Sequence, residues 1–563
     1  MYVLGIWDGH DAGAAIVRGK NILMAVNEER FTKNKLEVGF PVESIKCCLS
    51  YLKIKPAEIK HIAVNTSDVA KTLTRLLPGV KKHYYLFRRR KLKPSFVNAR
   101  REFKYKITEF PPNFVSRAIS KSYFKKELKK LGFKDFELYL VDHHMAHAAA
   151  AAFTSGFDKA VVITLDGVGD GLSGSVNLFK DGKIKRLSGI SAKASLGIFF
   201  EQATNLMGMR ELEDEGKLMA LSDYSYKIPD EKNPLLKLFW VDGLTVKTKY
   251  STWKRYRILQ DLAWRTPHED FAFMVQKTLE KNALQLFQNA VKATKVRNVA
   301  WAGGVASNIK SNMLVRKYSG LKEWYVFPHM GDGGLALGSA LYVNNIVFKV
   351  KRVDFKDAYL GPDYSDKEIR DALKSHKELK FTKVKDIATQ AADAVCDNEV
   401  VMWFQGRLEF GPRALGNRSI LASASSKDVK DKLNVQLKRR DWFQPFCPSL
   451  LAEEADRLFE NVGRPDHFMT MGYMARPEML LQVIAVVNVD NSARPQMITD
   501  ENPLYRKLLE RVKERTGYGI ILNTSFNIHG DPIVNTPEDA IKAMNKGGAK
   551  FLAIGDYWVE AKH

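Results

Sequence analysis

Two stretches of the chain repeat one design, and this repeat constrains the fold more than any other feature. Residues 2–7 are apolar and strand-like, residues 8–11 form a turn that contains Asp and Gly, and residues 12–17 are apolar again. Residues 160–179 repeat this order around a second such turn at residues 166–171. Either copy alone also fits a simple hairpin meander, but glycine turns let a backbone approach a ligand and can bind phosphate. The pair therefore predicts a duplicated α/β domain with a ligand in its cleft.

Two further glycine turns follow strand-like runs. Residues 298–302 precede paired glycines, after which Ser307 or Asn308 is placed to cap a helix. A fourth turn, at residues 327–334, leads into a helix predicted over residues 335–341. The start of a helix is a natural contact for a nucleotide or a phosphate.

A pair of histidines lies in an alanine-rich segment. His143 and His147 are four residues apart, and residues 146–152 are mostly alanine, the strongest helix former. On a helix, residues with this spacing share one face, so both imidazoles point the same way. Such a pair is half of a first-row metal site, although it also occurs as a buried structural histidine with a neighbour.

Arginines concentrate on a glycine-rich loop in the last third of the chain. Residues 400–404 predict a buried strand, and the loop at residues 406–419 follows it with Arg407, Arg413 and Arg418. Guanidinium groups bind carboxylates and phosphates through two hydrogen bonds, so the loop is suited to hold an anion. A solvated basic face is the alternative interpretation.

The length of the chain and its net charge limit the number of domains and the kinds of partner. A chain of 563 residues is too long for one core, so at least two domains are expected. The formal net charge is +24, and many of the cations lie between residues 71 and 134 with aromatic residues among them. Such a segment either contacts a nucleic-acid backbone or forms a solvated basic insertion that also attracts small anions.

The sequence also bears on the compartment. Residues 479–489 are apolar but too few to span a bilayer, and they predict a buried strand. The chain starts in a strand without a basic leader, so we expect no signal peptide. The four cysteines fit neither a disulfide framework nor a zinc site. We therefore expect a cytoplasmic protein without a membrane partner.

Taken together, the motifs resemble those of the carbamoyltransferase family that includes nodulation protein U, cephamycin hydroxymethyl carbamoyltransferase and tobramycin carbamoyltransferase. The matching segments occur in order along nearly the whole chain. They are GHDAGAA, EERFTKNK, HHMAHAAAAAF, LDGVGDG, EGKLMAL, GGVASN, GDGGLALGSA, LGPDYSD, GRLEFGPRALGNRSIL, PFCPSLL, LNTSFN and IGDYWVE.

The resemblance implies a two-domain α/β enzyme. Residues 1–345 would form a duplicated domain of the actin-and-sugar-kinase (ribonuclease-H-like) type, with a basic insertion at about residues 71–134. Residues 346–388 would connect it to a YrdC-like α/β domain at residues 389–563. The second domain would make carbamoyladenylate from carbamoyl phosphate and ATP with Mg(II), and the first would transfer the carbamoyl group to a hydroxyl of a small-molecule acceptor.

The resemblance also assigns site residues. It implies an iron ion, Fe(II), held by His143, His147, Asp166 and Asp332. Mn(II) and Zn(II) suit the same ligand types. Catalytic roles would fall to His10, Lys217 and Arg418. Nucleotide or carbamoyl phosphate contacts would come from Gly303, Gly304, Val305, Asn308, Glu215, Arg413, Lys438, Arg440, Ser525 and Asn527.

His10 has two interpretations. As a general base, or as a group that orients the acceptor, it would face the carbamoyl group and the acceptor hydroxyl. As a simple turn histidine it would only bind phosphate.

The sequence departs from the family pattern in three places. Gln444 stands where the family usually has arginine, Asn488 stands where it has histidine, and the segment at residues 71–134 is unusually basic. These departures keep two alternatives open, an RNA-modifying enzyme of the threonylcarbamoyl type and a nucleotide- and metal-binding regulator without turnover. Oligomerisation is compatible with all of these readings.

Overall fold

The computed structural model describes residues 1–90, 106–438, 441–528 and 530–561. The chain divides into two compact units. The N-terminal unit comprises Met1–Glu28 and Leu36–Phe355, and the C-terminal unit comprises Glu29–Lys35 and Lys356–His563. The limits of the domains implied by the family resemblance stay a prediction.

The N-terminal unit contains two five-stranded sheets within its described residues. Its strands are β1 (Val3–Trp7), β2 (Gly13–Arg18), β3 (Asn21–Asn27), β4 (His61–Asn65), β5 (Glu137–Val141), β6 (Lys159–Gly169), β7 (Leu172–Lys180), β8 (Lys183–Ser191), β9 (Trp240–Asp242), β10 (Thr245–Lys247), β11 (Asn298–Ala302) and β12 (Glu323–Val326). The first sheet has the order β3-β2-β1-β4-β5 and the second has the order β12-β11-β6-β7-β8.

The two sheets have the same topology. In each, three antiparallel strands form a meander, and two more strands add in parallel to the first strand of that meander. The strand–turn–strand repeat seen in the sequence is thus the start of each sheet, and the duplication is confirmed at the level of topology.

Helices surround and separate the sheets. Their bounds are α1 (Glu29–Thr32, in the C-terminal unit), α2 (Val42–Tyr51), α3 (Val69–Leu76), α4 (Pro78–Arg88), α5 (Phe114–Lys130), α6 (His143–Thr154), α7 (Leu196–Leu206), α8 (Glu215–Leu221), α9 (Thr252–Arg265), α10 (His268–Thr294), α11 (Ile309–Tyr318) and α12 (Leu335–Phe348). Helix α12 packs on the first sheet, α6 packs on the second, and the two helices pack on each other. A Cβ atom on Gly338 would lie 2.1 Å from the Ala146 carbonyl oxygen, so a glycine is needed where α6 and α12 meet.

The C-terminal unit is a mixed α/β structure around an eight-stranded sheet. Its strands are β13 (Leu379–Lys383), β14 (Val401–Phe404), β15 (Arg418–Ser423), β16 (Cys447–Leu451), β17 (Tyr473–Met474), β18 (Ser492–Ala493), β19 (Gln496–Ile498), β20 (Ile520–Ser525), β21 (Phe551–Ile554) and β22 (Tyr557–Ala561). The sheet order is β13-β22-β21-β14-β15-β20-β16-β19, with β14–β21 and β16–β19 parallel.

The helices of this unit are α13 (Asp366–Ser375), α14 (Ile387–Cys396), α15 (Lys427–Lys432), α16 (Ala455–Leu458), α17 (Leu480–Val483), α18 (Pro503–Thr516) and α19 (Pro537–Gly547). Helices α14 and α18 and the sheet share one hydrophobic core, and this core includes Trp403 and Tyr505.

The strand predicted at residues 479–489 is wrong. The structure has helix α17 there, and Leu481 is largely exposed. Short apolar runs do not distinguish strand from helix by periodicity alone. In the described part of the chain, no helix combines the length and apolarity that crossing a membrane requires.

Candidate metal and catalytic site

The histidine pair is set by the start of α6. Asp142 caps the helix by accepting a hydrogen bond from the Met145 N–H at 2.8 Å, and Asp170 accepts one from the His143 N–H at 2.9 Å. These two carboxylates satisfy N–H groups that a helix start otherwise leaves unpaired. His143 and His147 are buried and project from the same face, which confirms the predicted helix.

Two aspartates complete a four-residue cluster. Asp166 lies in β6 at the second glycine turn, and Asp332 begins a short helical turn after β12. One ligand atom from each of the two histidines and two aspartates lies within 4.8 Å of the other three. The His143 Nε2 atom is 3.3 Å from Asp166 and 3.6 Å from Asp332, and the corresponding His147 distances are 3.8 and 3.4 Å.

This donor set fits a divalent metal ion. Bonds of about 2.1 Å place neighbouring ligand atoms roughly 3.0 to 3.4 Å apart, close to the distances observed here. Among the described residues, the His147 Nε2 and Asp332 Oδ1 atoms are buried without a hydrogen-bond partner. Buried polar atoms normally have partners, so both are available to a cation. Two imidazoles and two carboxylates suit a first-row ion such as Fe(II).

The charges in the cluster depend on one another. Burial by itself would lower the pKa of His143, but Asp332 and Asp166 outweigh it and raise that pKa to about 9. The pKa of His147 is raised as well, because the same two carboxylates outweigh the effect of burial. Burial would raise the pKa of Asp166, but the two histidines hold it well below its usual range. A cation at the centre would take the place of these protons.

His10 lies next to the cluster. Its Nε2 atom is 3.5 Å from Asp332 Oδ2, and its carbonyl accepts a 2.8 Å hydrogen bond from the Trp7 indole N–H. The Tyr85 ring meets the imidazole edge-on at 5.4 Å between centroids. Burial lowers the pKa of His10 to about 4, against the opposing charge of Asp332. At neutral pH the His10 imidazole is therefore uncharged, which is the form that a general base requires.

The paired glycines hold one of the aspartates. The Gly304 N–H donates a 2.5 Å hydrogen bond to Asp166 Oδ1. Gly303 has a φ of 96°, and a Cβ atom there would lie 2.1 Å from the Leu165 carbonyl oxygen. The loop therefore needs a glycine in order to approach the strand that carries Asp166.

Asn308 has a structural role as a helix cap. Its side chain accepts a hydrogen bond from the Ser311 N–H at 3.0 Å and exchanges two bonds with the Gln276 amide. The predicted cap is confirmed. The adenosine contacts assigned to Gly303, Gly304, Val305 and Asn308 stay a prediction.

Asn27 was not predicted, yet it joins two of the site's loops. It ends β3 and is buried. Its Nδ2 donates to the Asp11 carbonyl at 3.1 Å and to the Gly333 carbonyl at 3.3 Å, while its Oδ1 lies 3.0 Å from His329 Nε2. The turn that carries His10 and the loop that carries Asp332 are therefore tied to one amide. Its only sequence signal is its position just before the EERF motif.

Lys217 and Glu215 lie at the start of α8. The Lys217 Nζ atom is 3.1 Å from Asp214, and the Glu215 carboxylate accepts a 2.7 Å hydrogen bond from the Leu212 N–H. Burial, followed by the charge of Glu201, raises the pKa of Glu215 to about 8. These contacts stay within the start of the helix, and the catalytic and nucleotide roles of the two residues stay predictions.

Three of the residues predicted for the C-terminal phosphate site lie together. The Lys438 Nζ donates to Asn527 Oδ1 at 2.9 Å and to the Ser525 carbonyl, and the Ser525 hydroxyl donates to Asn527 Oδ1 at 2.7 Å. Arg440 lies outside the described residues.

Arg418 is built into the fold of the C-terminal unit. It is fully buried, and its guanidinium donates to the main-chain carbonyls of Gln405, Gly406 and Asn417. It also lies 3.6 Å above the Phe404 ring. Burial lowers its pKa to about 10. These contacts organise the arginine loop, and the catalytic role predicted for Arg418 stays a prediction.

Arg413 is close to a second arginine that the sequence did not single out as a site residue. Burial and the charge of Arg494 lower the Arg413 pKa to about 9. The Arg494 Nη2 donates a 3.0 Å hydrogen bond to Cys447 Sγ. In the described part of the chain, the Nε atoms of both arginines are buried without a partner. Two guanidinium groups that repel each other and have unused donors are suited to bind an anion.

Some cations of the basic segment are buried and do not face solvent. Arg75, Arg88 and Arg89 are all buried in ion pairs. Their partners are Asp8 for Arg75, Glu201 and Glu211 for Arg88, and Glu213 for Arg89. For these three arginines, both interpretations of the segment, as a contact for a nucleic-acid backbone and as a solvated basic insertion, are therefore wrong. They anchor α3 and α4 to the rest of the N-terminal unit.

Comparisons with known proteins agree across the chain. The family model described as Carbamoyltransferase N-terminus matches residues 2–341, and that described as Carbamoyltransferase C-terminus matches residues 392–561. An uncharacterised protein of Methanocaldococcus jannaschii is 32% identical over 98% of both chains. Nodulation protein NolNO of Sinorhizobium fredii is 30% identical over 98% of this chain and 79% of its own.

A third relative is named for its activity. The 3'-hydroxymethylcephem-O-carbamoyltransferase of Streptomyces clavuligerus is 28% identical over 62% of this chain and 66% of its own. The two family models together match nearly the whole sequence in order. The chain therefore belongs to the carbamoyltransferase family and is an enzyme of that class.

Proposed function

We propose that this enzyme is an ATP-dependent O-carbamoyltransferase that acts on a hydroxyl group of a small-molecule acceptor. The observation that carries the proposal is the cluster of His143, His147, Asp166 and Asp332 with His10 beside it. Family membership supplies the carbamoyl group, and the relative named as an O-carbamoyltransferase supports a hydroxyl acceptor. In this proposal the N-terminal unit is the actin-and-sugar-kinase-like transfer domain, and the C-terminal unit is YrdC-like.

The first half-reaction belongs to the C-terminal unit. Water first cleaves carbamoyl phosphate to carbamate and phosphate. A carbamate oxygen then bonds to the α-phosphorus of ATP while the bond from that phosphorus to pyrophosphate breaks, which gives carbamoyladenylate and pyrophosphate. Arg413 and Arg494 would bind the phosphate of carbamoyl phosphate, and Lys438 with Ser525 and Asn527 would bind the triphosphate. Mg(II) would offset the remaining phosphate charge.

The second half-reaction belongs to the N-terminal unit. His10 accepts the proton of the acceptor hydroxyl while the hydroxyl oxygen bonds to the carbamoyl carbon. The bond from that carbon to the adenylate oxygen breaks, and AMP leaves. A bound Fe(II) ion would supply Lewis acidity toward the carbamoyl carbonyl or the adenylate phosphate. The Gly303–Gly304 loop holds Asp166, which fixes one ligand of that ion.

A mass-spectrometric assay tests the proposal. The protein is incubated with carbamoyl phosphate, ATP and Mg(II) without an acceptor, and we expect carbamoyladenylate, pyrophosphate and phosphate. Replacing both arginines, Arg413→Ala with Arg494→Ala, should abolish all three products. Arg370→Ala, which removes an exposed arginine of α13, is the matched control and should leave them unchanged. Nucleotide binding without release of pyrophosphate would instead support the non-catalytic regulator.

A further inference from the structure

Large apolar side chains are exposed on the outer surface of α3 and α4. Leu73, Leu76, Leu77 and Val80 are between 44% and 62% exposed. Their spacing of three, four and seven residues is that of an apolar helix face, although Leu77 separates the two helices. A patch of large exposed apolar side chains marks an interaction surface more often than it simply faces solvent.

Large apolar side chains are also exposed on α5 and just before it. Phe114 is 87% exposed, and Val115 and Phe110 are also exposed. Helix α5 is joined to α3 by a 2.9 Å hydrogen bond between Thr72 and Ser120. The three helices thus form one layer, which we call the insertion layer.

Cations accompany these apolar side chains. Helix α5 carries Arg117, Lys121, Lys125 and Lys129 at intervals of four residues, and all four are exposed. Residues four apart lie on one face of a helix, so these cations form a stripe. Lys126 and Lys130 are exposed as well, and Glu127 is the single acidic residue of the helix.

We propose that the insertion layer binds the surface of an anionic membrane without crossing it. Exposed leucine, valine and phenylalanine side chains enter the boundary between headgroups and acyl chains, and a stripe of lysine and arginine pairs with anionic headgroups. A second copy of the chain would bring the same cations against each other. Nucleic acid would make little use of exposed leucines, because its bases stack on aromatic rings.

The inner side of the insertion layer contacts the candidate site. On the inner side of α3 and α4, Lys71 lies 3.3 Å from Asp8 and the Tyr85 ring contacts His10. A membrane bound to the outer side is therefore separated from His10 by about one helix diameter, roughly 10 Å. Peripheral binding needs no spanning helix, and it differs from the expectation from sequence that no membrane takes part. It does not depend on the carbamoyl-transfer chemistry.

Vesicle co-sedimentation tests the proposal. The full chain should bind vesicles that contain phosphatidylglycerol, bind phosphatidylcholine vesicles weakly, and dissociate as salt increases. Leu76→Glu with Leu77→Glu should reduce partitioning at least about tenfold, and Lys121→Glu with Lys125→Glu should reduce it as well. Leu481→Glu, at an exposed leucine of the C-terminal unit, should leave binding unchanged.

Protection of residues 106–130 from hydrogen exchange by anionic vesicles gives a second measurement that needs no variant. The proposal is overturned if anionic vesicles neither bind nor protect the unsubstituted chain. It is also overturned if the leucine variant binds like the parent. Sedimentation velocity that shows a dimer broken by the leucine substitutions, without vesicle binding, would assign the surface to a second copy. Lysine-dependent binding of single-stranded RNA without vesicle binding would assign it to nucleic acid.

Discussion

Gly304 donates its main-chain N–H to the Asp166 carboxylate at 2.5 Å, which leaves the other oxygen of that carboxylate facing His143. A hydrogen bond of this kind fixes the orientation of a metal ligand from outside the coordination sphere. The glycine pair is therefore tied to the candidate metal cluster.

Gly303→Ala should lower the metal affinity of the site by about tenfold or more, because outer contacts of metal ligands carry effects of that size. The new Cβ would meet the Leu165 carbonyl and move the loop away from Asp166. Gly320→Ala is the matched control, since Gly320 also has a positive φ, of 74°, but has open space around it. Metal titration of both variants gives the comparison, and equal affinities would show that the loop does not hold Asp166.

His143→Ala together with His147→Ala should abolish carbamoyl transfer and leave carbamoyladenylate formation intact. The two histidines belong to the N-terminal cluster, while the proposed adenylation residues belong to the other unit. Metal analysis after reconstitution with Fe(II) should show loss of the bound ion. His144→Gln is the control: the His144 imidazole pairs with Thr164 and meets the His143 ring edge-on, but it is not one of the four candidate ligands. Normal transfer by the double variant would refute the metal assignment.

Asn27→Ala should slow carbamoyl transfer by about tenfold, since small displacements of positioned groups have large effects on rate. Loss of the amide would release the Gly333 carbonyl and His329 from the turn that carries His10. Hydrogen exchange over residues 329–334 should become faster. A general loss of stability would instead speed exchange throughout the protein, so a change confined to that loop indicates a local effect. Asn21→Ala, at the exposed start of the same strand, should change neither quantity.

Glu215 should make the protein less stable as the pH rises. Its pKa is raised to about 8 in the folded protein, from a usual value of 4.5, because partial burial and then the charge of Glu201 disfavour the ionised carboxylate. The unfolded chain releases this proton earlier, so the contribution of Glu215 to stability is greatest below pH 4.5 and is lost as the pH rises toward 8.

Glu215→Gln should therefore raise the melting temperature by several degrees near pH 8 and by less near pH 5. Thermal unfolding followed across that pH range measures the difference. Glu231→Gln, at an exposed site, is the control and should behave as the parent at every pH. A gain that is the same at both pH values would indicate a cause other than ionisation of Glu215.

Features that depend on neighbours in the chain could be read from the sequence. The repeated strand–turn–strand units, the helix that carries His143 and His147, and the cap at Asn308 all appear as expected. Each follows from local rules of side-chain spacing, turn formation and capping. The resemblance to the family supplied the two aspartates of the cluster, which lie far apart in sequence.

Other features required contacts between distant residues. The sequence shows that Arg88 and Arg89 are cations, but only the fold buries them against acidic partners from residues 201–213. The sequence likewise does not show that Arg494 lies in the electrostatic environment of Arg413, 81 residues earlier. Nor does it show that the side-chain amide of Asn27 hydrogen-bonds two loops.

The sequence by itself therefore determined the family, the secondary-structure elements that carry the site and the kinds of side chain available to it. The tertiary structure decided which charges are paired, which are exposed and which amide joins His10 to Asp332. The physical reason is that helix and turn preferences act over a few residues. The burial and pairing of a charge depend on every element that packs around it.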